Sequence, residues 1–493
     1  MRKQTKLVAV LSATALLAIG AAMTSFAATG WQEEEGTWVY YDADGDMVTN
    51  EWKKSADGNW YYLDDDGYMA TNSYIDSKYY VDEDGKMLKN AWAKFNSEDE
   101  DDTDPDSEDA NWYYFSNSGA VTTDGWKKIN GHWYIFDGEG KMRYGWYHED
   151  NDNKDNYYYL GNEDEGWAAT GWLKLSAYAD GELATEQDVP GEDMDWYWFD
   201  SNGKAVKAKS SDSKMKKKTI NGYTYYFDEA GIMQDGWTDI TIATSSSASN
   251  ANVYLNDDGA LVTGWVKLDS DINDKDVSNH REDDEAWFYL NTKGEPYYYK
   301  GTEEKILGST DGVIKKINSK YYFFDKNGAM AYGLVSLGGY NYYFGAENDG
   351  SMKTGKVTNV VENDDEKYTY YFETSGANKG MGYNGIKDGY IYSNGKLITA
   401  EDDSKYQVVN LDDYDNIKET GKYLINEAGK IQKNANGKKA DDDTKYWTDG
   451  SGIVKIGSGE KETKEEDIDY AKPVKSEIPY DFDFDYVSLP IEE

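Results

Sequence analysis

The chain has 493 residues, a formal net charge of −43 at pH 7 and no cysteine. So large a negative charge excludes a nucleic-acid-binding role, because phosphate contacts need basic side chains in excess; the missing cysteines exclude disulfide staples and any Cys-His catalytic pair. Acidity alone would fit a disordered chain, but such chains are poor in aromatics, and 17 Trp, 45 Tyr and 13 Phe argue for a folded one.

In chain order, residues 1–27 read as a signal peptide. Arg2, Lys3 and Lys6 make a basic start, Leu7 to Gly20 an apolar stretch, and Ser25-Phe26-Ala27 a small-residue cleavage site. The apolar stretch is shorter than the about 20 residues a membrane span needs. Secretion is therefore expected, with no transmembrane anchor in the mature chain. The end, "DFDFDYVSLPIEE", lacks a Leu-Pro-x-Thr-Gly sorting signal. Attachment to a cell wall or surface is expected to be non-covalent.

From residue 28 to 456 the chain reads as one repeat array. In "GWKKINGHWYIFDGEGKMRYGW" (125 to 146), Trp126 to Ile129 is a strand, Asn130-Gly131 suits a two-residue type I′ turn, and His132 to Phe136 is the returning strand. "DGEG" then supplies a second turn. The plan recurs at "GWQEEEGTWVYYDADGDMVT" (30 to 49), "EWKKSADGNWYYLDDDGYMAT" (51 to 71), "INGYTYYFDEAGIM" (220 to 233), "INSKYYFFDKNGAM" (317 to 330) and "LGGYNYYFGAENDGSM" (337 to 352). Gly45 and Gly67 are 22 apart, as are Gly328 and Gly350. A single hairpin is marginal in water, so units of about 20 residues must bury their rings against neighbours. The predicted fold is all-β, a solenoid of stacked β-hairpin repeats with acidic loop insertions, one of them the run 96–110. Repeats are best kept over 30–172 and degenerate beyond about 383; residues 457–493 read as an acidic, flexible tail.

The succession Gly-Trp, polar residues, Trp-Tyr-Tyr-Phe or Leu, Asp-x-x-Gly, Met, Thr-Gly-Trp resembles the cell-wall-binding repeats of Gram-positive surface proteins. That family includes choline-binding and glucan-binding repeats, and the resemblance covers about residues 30–456. It implies ligands held in aromatic boxes between consecutive hairpins. Carried onto this sequence, the box positions are Trp31 and Trp38 with Trp52, Trp60 and Tyr62, and Trp126 and Trp133 with Trp146; Met47 and Met142 occupy the family's Met position. Tyr74, Leu334 and Lys356 stand where Trp is expected, so most later interfaces lack a full box. Several ring faces around one cavity attract a quaternary ammonium, each by about 0.5–2 kcal/mol. The same rings can stack on a sugar.

Alternation along 133–136 puts Trp133 and Ile135 on one side and Tyr134 and Phe136 on the other, and one side must pack. Acidic runs such as "DADGD" (42 to 46) place Gly too early for an EF-hand and read as turns. His132, His148 and His280 lie in different repeats, so no zinc cluster, catalytic residue or cofactor is expected. The expected role is a non-catalytic secreted protein that binds choline-bearing polymers or glycans of a cell envelope. The alternative is a structural or adhesive scaffold with few working sites.

Overall fold

The computed structural model describes residues 29–97, 105, 107, 109–151, 154–176, 194–241, 252–269, 285–301, 303, 305–308 and 312–478. The expected signal peptide, most of the acidic loop 96–110, much of the insertions after Trp172, Trp237 and Trp265, and residues 479–493 lie outside them. The chain divides into two compact units, Met1–Val206 and Lys207–Glu493.

The first unit is a series of antiparallel hairpins. Hairpin 1 joins Gly30–Glu34 to Thr37–Tyr41, hairpin 2 Glu51–Lys54 to Trp60–Leu63, and hairpin 3 Ser73–Ile75 to Tyr79–Val81. Hairpin 4 joins Ala91–Phe95 to Asn111–Phe115 and hairpin 5 Gly125–Ile129 to His132–Phe136. Hairpin 6 joins Trp146–Asn151 to Lys154–Tyr159 and hairpin 7 Gly171–Ser176 to Met194–Phe199. At the tip of hairpin 5, Asn130 and Gly131 have φ of 49° and 93°, as a type I′ turn requires. Behind most of these hairpins an Asp closes the next turn: Asp137 Oδ1 accepts the N–H groups of Glu139 (3.0 Å) and Lys141 (2.8 Å). Asp42, Asp64 and Asp82 do the same. These carboxylates are turn caps.

One backbone bond per step couples the hairpins. After its turn each repeat pairs with its own second strand and donates one N–H to the hairpin before: Met69 to Trp38 O (2.8 Å), Met87 to Trp60 O (2.9 Å), Met142 to Trp112 O (2.8 Å), Ala168 to Trp133 O (2.8 Å). Glycine makes the approach possible. A Cβ on Gly67 would lie 2.4 Å from Met47 Sδ, and one on Gly166 2.2 Å from Met142 Sδ. The repeated Met thus fills the space left by the next repeat's glycine, which ties the two residues to one period.

The second unit keeps this plan, then elaborates it. Hairpin 8 joins Lys216–Ile220 to Tyr223–Phe227, hairpin 9 Gly236–Asp239 to Asn252–Leu255, and hairpin 10 Gly264–Asp269 to Glu285–Leu290. Hairpin 11 joins Gly312–Ile317 to Lys320–Phe323, with Lys305–Gly308 added in parallel, and hairpin 12 joins Leu334–Leu337 to Tyr340–Tyr343. Hairpin 13, Gly355–Val361 with Lys367–Phe372, belongs to a five-stranded sheet with Gly385–Lys387, Tyr390–Ser393 and Lys396–Leu397. Pairs Tyr406–Asn410 with Lys422–Asn426 and Asn436–Lys439 with Lys445–Trp447 follow. Here the packing is largely aliphatic: Ile391, Ile398, Val409, Leu411, Ile425 and Ile431 form one buried cluster. That is why the Trp signature fades while the hairpins persist.

Residues 457–478, expected as part of a flexible tail, are instead paired with the second unit. Tyr470 bridges Val408 in parallel, Ser476 Oγ accepts from Asn341 Nδ2 (2.8 Å), and Glu477 N–H donates to Glu362 (2.7 Å). The charged composition of this stretch hides partners that lie more than a hundred residues away. Among the described residues the only helical turns are Leu411–Asp413 and Glu465–Asp467, and no helix is long and apolar enough to cross a membrane.

Candidate functional site

Strand register sorts the rings into two rows. In hairpin 5, Trp126 faces Ile135 and Lys128 faces Trp133; in hairpin 4, Trp92 faces Tyr114 and Lys94 faces Trp112. An inner row therefore holds the ring at the start of each first strand, and an outer row the second-strand ring that in these two hairpins faces Lys. The inner rings pack forward onto the next hairpin. Ring centroids are 5.4 Å apart for Trp31 and Tyr61, 5.4 Å for Trp52 and Tyr79, 4.9 Å for Trp92 and Tyr134, and 4.6 Å for Trp126 and Tyr158. These tilted and edge-on pairs are the favoured aromatic geometries. Tyr74 takes the same place, facing Tyr113, and burial pushes its phenol up to about 12.

The outer row meets solvent. Trp133 is 38% exposed and Trp196 43%, whereas Tyr134 and Phe136 are buried. Lys128 Nζ lies 5.7 Å from the centre of the Trp133 ring. The alternation in 133–136 thus resolves into a packed side, Tyr134 and Phe136, and a side on which Ile135 is buried and Trp133 is open.

The ten residues singled out in the sequence fall into different places. Trp31 meets Tyr40 and Tyr61; Trp52 meets Tyr62 and Tyr79. Trp38 and Trp60 stand half-buried in the outer row. Trp126 meets Tyr147 and Tyr158, and Trp146 lies one hairpin further on, buried against Tyr159, Tyr197 and Phe199 with its Nε1 donating to Ser176 O (3.3 Å). Met47 and Met142 pack against the glycines described above.

Two clusters were not singled out. Around Tyr134 and Met142 gather Trp92, Trp112, Tyr114 and Trp167; around Tyr322 and Met330 gather Trp265, Trp287, Tyr289 and Tyr297. Trp92 and Trp112 meet edge-on at 6.4 Å, and Trp167 lies 6.4 Å from Tyr134 and 5.3 Å from His132. Each cluster draws rings from two successive hairpins, and the first adds Trp167 from the segment after hairpin 6. Their sequence signal is the spacing of the Trp pairs 92/112 and 265/287, obscured because a loop interrupts each hairpin.

The comparisons with known proteins bear on these repeats. A choline-binding repeat profile matches residues 28–74, and a cell wall binding repeat profile matches 108–121, 124–142, 218–233 and 315–330. The chain carries cell-wall-binding repeats. The matched segments fall on hairpins 1, 2, 4, 5, 8 and 11. Among curated relatives, glucosyltransferase-S of Streptococcus mutans is 26% identical over 292 residues, 51% of this chain and 18% of the relative. Glucosyltransferase-I of Streptococcus downei is 27% identical over 288 residues, 55% of this chain and 15% of the relative. The chain thus spans less than a fifth of these relatives. Solved structures include CbpJ of Streptococcus pneumoniae, 23% identical, covering 75% of this chain and all of that one with a TM-score of 0.33. The autolysin LytC of Streptococcus pneumoniae, solved with a synthetic peptidoglycan ligand, is 18% identical over 62% of this chain and 52% of its own, with a TM-score of 0.34.

His148 is held by Asp155 at 2.8 Å and stacked on Tyr157 at 4.3 Å, in a different hairpin from His132. Among the described residues no group of three His, Cys, Asp or Glu is placed to hold a metal ion.

Proposed function

We propose that the protein is a non-catalytic, secreted binding protein, held non-covalently at a cell surface by choline-bearing polymers or glycans that its repeats grip. The observation that carries this reading is the outer row of the first unit, where Trp133 and Trp196 keep indole faces in solvent at the ends of well-packed hairpins. Exposed indoles above a rigid inner row suit a ligand with a bulky cationic or flat apolar face. Trp38, Trp60, Trp112 and Trp133 are the site residues this reading favours from the outer row, with Trp31, Trp52, Tyr62, Trp126 and Trp146 supporting them. Repetition adds avidity: several weak sites on one polymer raise effective affinity by about a hundredfold or more. A net charge of −43 makes an anionic polymer a poor partner unless it bears cationic groups such as choline.

The test is co-sedimentation of the protein from residue 28 onward with washed, choline-bearing Gram-positive envelopes. Sedimentation that excess choline abolishes supports a choline-bearing polymer, and sedimentation indifferent to choline supports glycan stacking. Failure to sediment with any envelope overturns the binding role.

A scaffold role fits the second unit better than the first. There, three outer positions, Thr224, Asn252 and Asn341, carry no ring, while Trp287 and Tyr321 keep theirs opposite Lys267 and Lys316.

A further inference from the structure

Two turns differ from the common pattern in the same way. Gly140 follows Phe136 by four positions, but Gly166 follows Leu160 by six and Gly350 follows Phe344 by six. Both long turns begin alike: Gly145 N–H donates to Gly161 O and Leu160 N–H to Gly145 O, at 2.8 Å each, and Gly333 exchanges the same bonds with Gly345 and Phe344 at 2.8 Å. The added length carries each turn back past one hairpin to an outer indole. Asp164, after hairpin 6, accepts from Trp112 Nε1 of hairpin 4 at 3.1 Å; Asn348, after hairpin 12, accepts from Trp287 Nε1 of hairpin 10 at 3.0 Å. The two turns therefore close over the two ring clusters in equivalent ways.

What differs is charge and the fourth ring. In the first unit Asp164 and Glu163 face one ammonium, Lys94, at 4.0 and 3.7 Å. Trp167 completes the ring set there, beside His132. In the second unit the closing group is a neutral amide, Asp349 is engaged by Lys353 and, at 3.8 Å, by Lys320, and Lys267 is engaged by Glu285 at 2.9 Å. Ser351 stands in the place of Trp167, and Lys320 in that of His132.

We propose that the cluster of Trp92, Trp112, Tyr134 and Trp167 selects a quaternary ammonium over a neutral ligand of the same shape, with Asp164 as the specificity-determining residue, and that the cluster closed by Asn348 does not discriminate. This rests on the reading of the repeats as ligand-binding. Dispersion against ring faces treats the two shapes alike. Two carboxylates against one ammonium leave a net negative charge at the rim, partly in water, which adds a preference for the cation of about fivefold to tenfold.

The test uses the full chain labelled with 5-fluorotryptophan, its Trp112 and Trp287 fluorine signals assigned through Trp112→Phe and Trp287→Phe. Choline and 3,3-dimethylbutan-1-ol, its neutral carbon isostere, are titrated separately. The expected result is that the Trp112 signal responds to choline at about fivefold lower concentration than to the alcohol and that the Trp287 signal responds to both alike. Asp164→Asn, which keeps an acceptor for Trp112, removes the preference, and Asn348→Asp creates one at Trp287. A preference at Trp112 that survives Asp164→Asn overturns the proposal while leaving ligand binding standing. No response of either signal to either probe overturns the proposal, and with it ligand binding at these clusters.

Discussion

The two units share a hairpin and differ in what fills its inner row. In the first unit the row reads Trp31, Trp52, Tyr74, Trp92, Trp126, Trp146 and Trp172, an unbroken series of rings. In the second it reads Lys217, Trp237, Trp265, Ile314, Leu334 and Lys356. Where a ring is lost the replacement still meets a neighbour: Leu334 is fully buried, and Lys356 Nζ lies 5.3 Å from the Tyr390 ring. The second unit also buries ion pairs, Lys315 with Glu303 at 3.1 Å and Lys396 with Glu362 at 3.0 Å, and ties its last described residues into the latter. The inner row is therefore a packing row first. With those rings engaged in packing, the exposed Trp133 and Trp196 direct attention to the outer row for ligand contact.

The largest expected effect breaks the second unit alone. Lys396→Met leaves the Glu362 carboxylate buried without its ammonium, which costs about 3–5 kcal/mol. Lys53→Met, which removes a solvent-accessible pair with Glu51, costs about 0–1 kcal/mol. Urea unfolding, followed by hydrogen exchange of peptides from each unit, separates the two. Equal losses would show that burial does not distinguish the units.

Next comes the contrast between rows. Trp126→Ala removes a ring packed on Tyr158 and costs about 2–4 kcal/mol, whereas Trp133→Ala, at an exposed position, costs less than about 1 kcal/mol. The urea midpoint of each single variant decides it. If Trp133→Ala also unfolds the protein, the outer row is structural and loses its claim on a ligand.

The smallest effect concerns acid. Burial pushes the Glu303 carboxyl up, but hydrogen bonds from the Lys300 backbone and the Lys315 ammonium outweigh it and hold the group below the ordinary range. Asp349 is likewise held low, its burial outweighed by hydrogen bonds from Lys353 and Ser351. In the first unit, burial holds Asp82 above the ordinary range. A depressed carboxyl stabilises the fold above its unfolded value, and that contribution is lost as pH falls through the folded one; a raised carboxyl does the reverse. Acidification through the carboxylate range should therefore open peptides around 313–323 before those around 79–87. Hydrogen exchange at stepped pH that leaves the relative protection of the two regions unchanged would show that these groups do not matter.

The sequence by itself determined what is local. Asn130-Gly131 needs only two positive φ values, Asp137 caps a turn within four residues, and strand alternation around Trp133 follows from the pleat. These features fixed the hairpin, its period and the relation to cell-wall-binding repeats. The tertiary structure decided what depends on distant partners: that Trp146 is buried between hairpins, that Trp112 meets a carboxylate 52 residues on, and that residues 457–478 pair with the second unit. An indole has the same composition whether its face meets a tyrosine of the next hairpin or water. Only the stacking of one hairpin on another, set by a glycine against a methionine side chain, chooses between them.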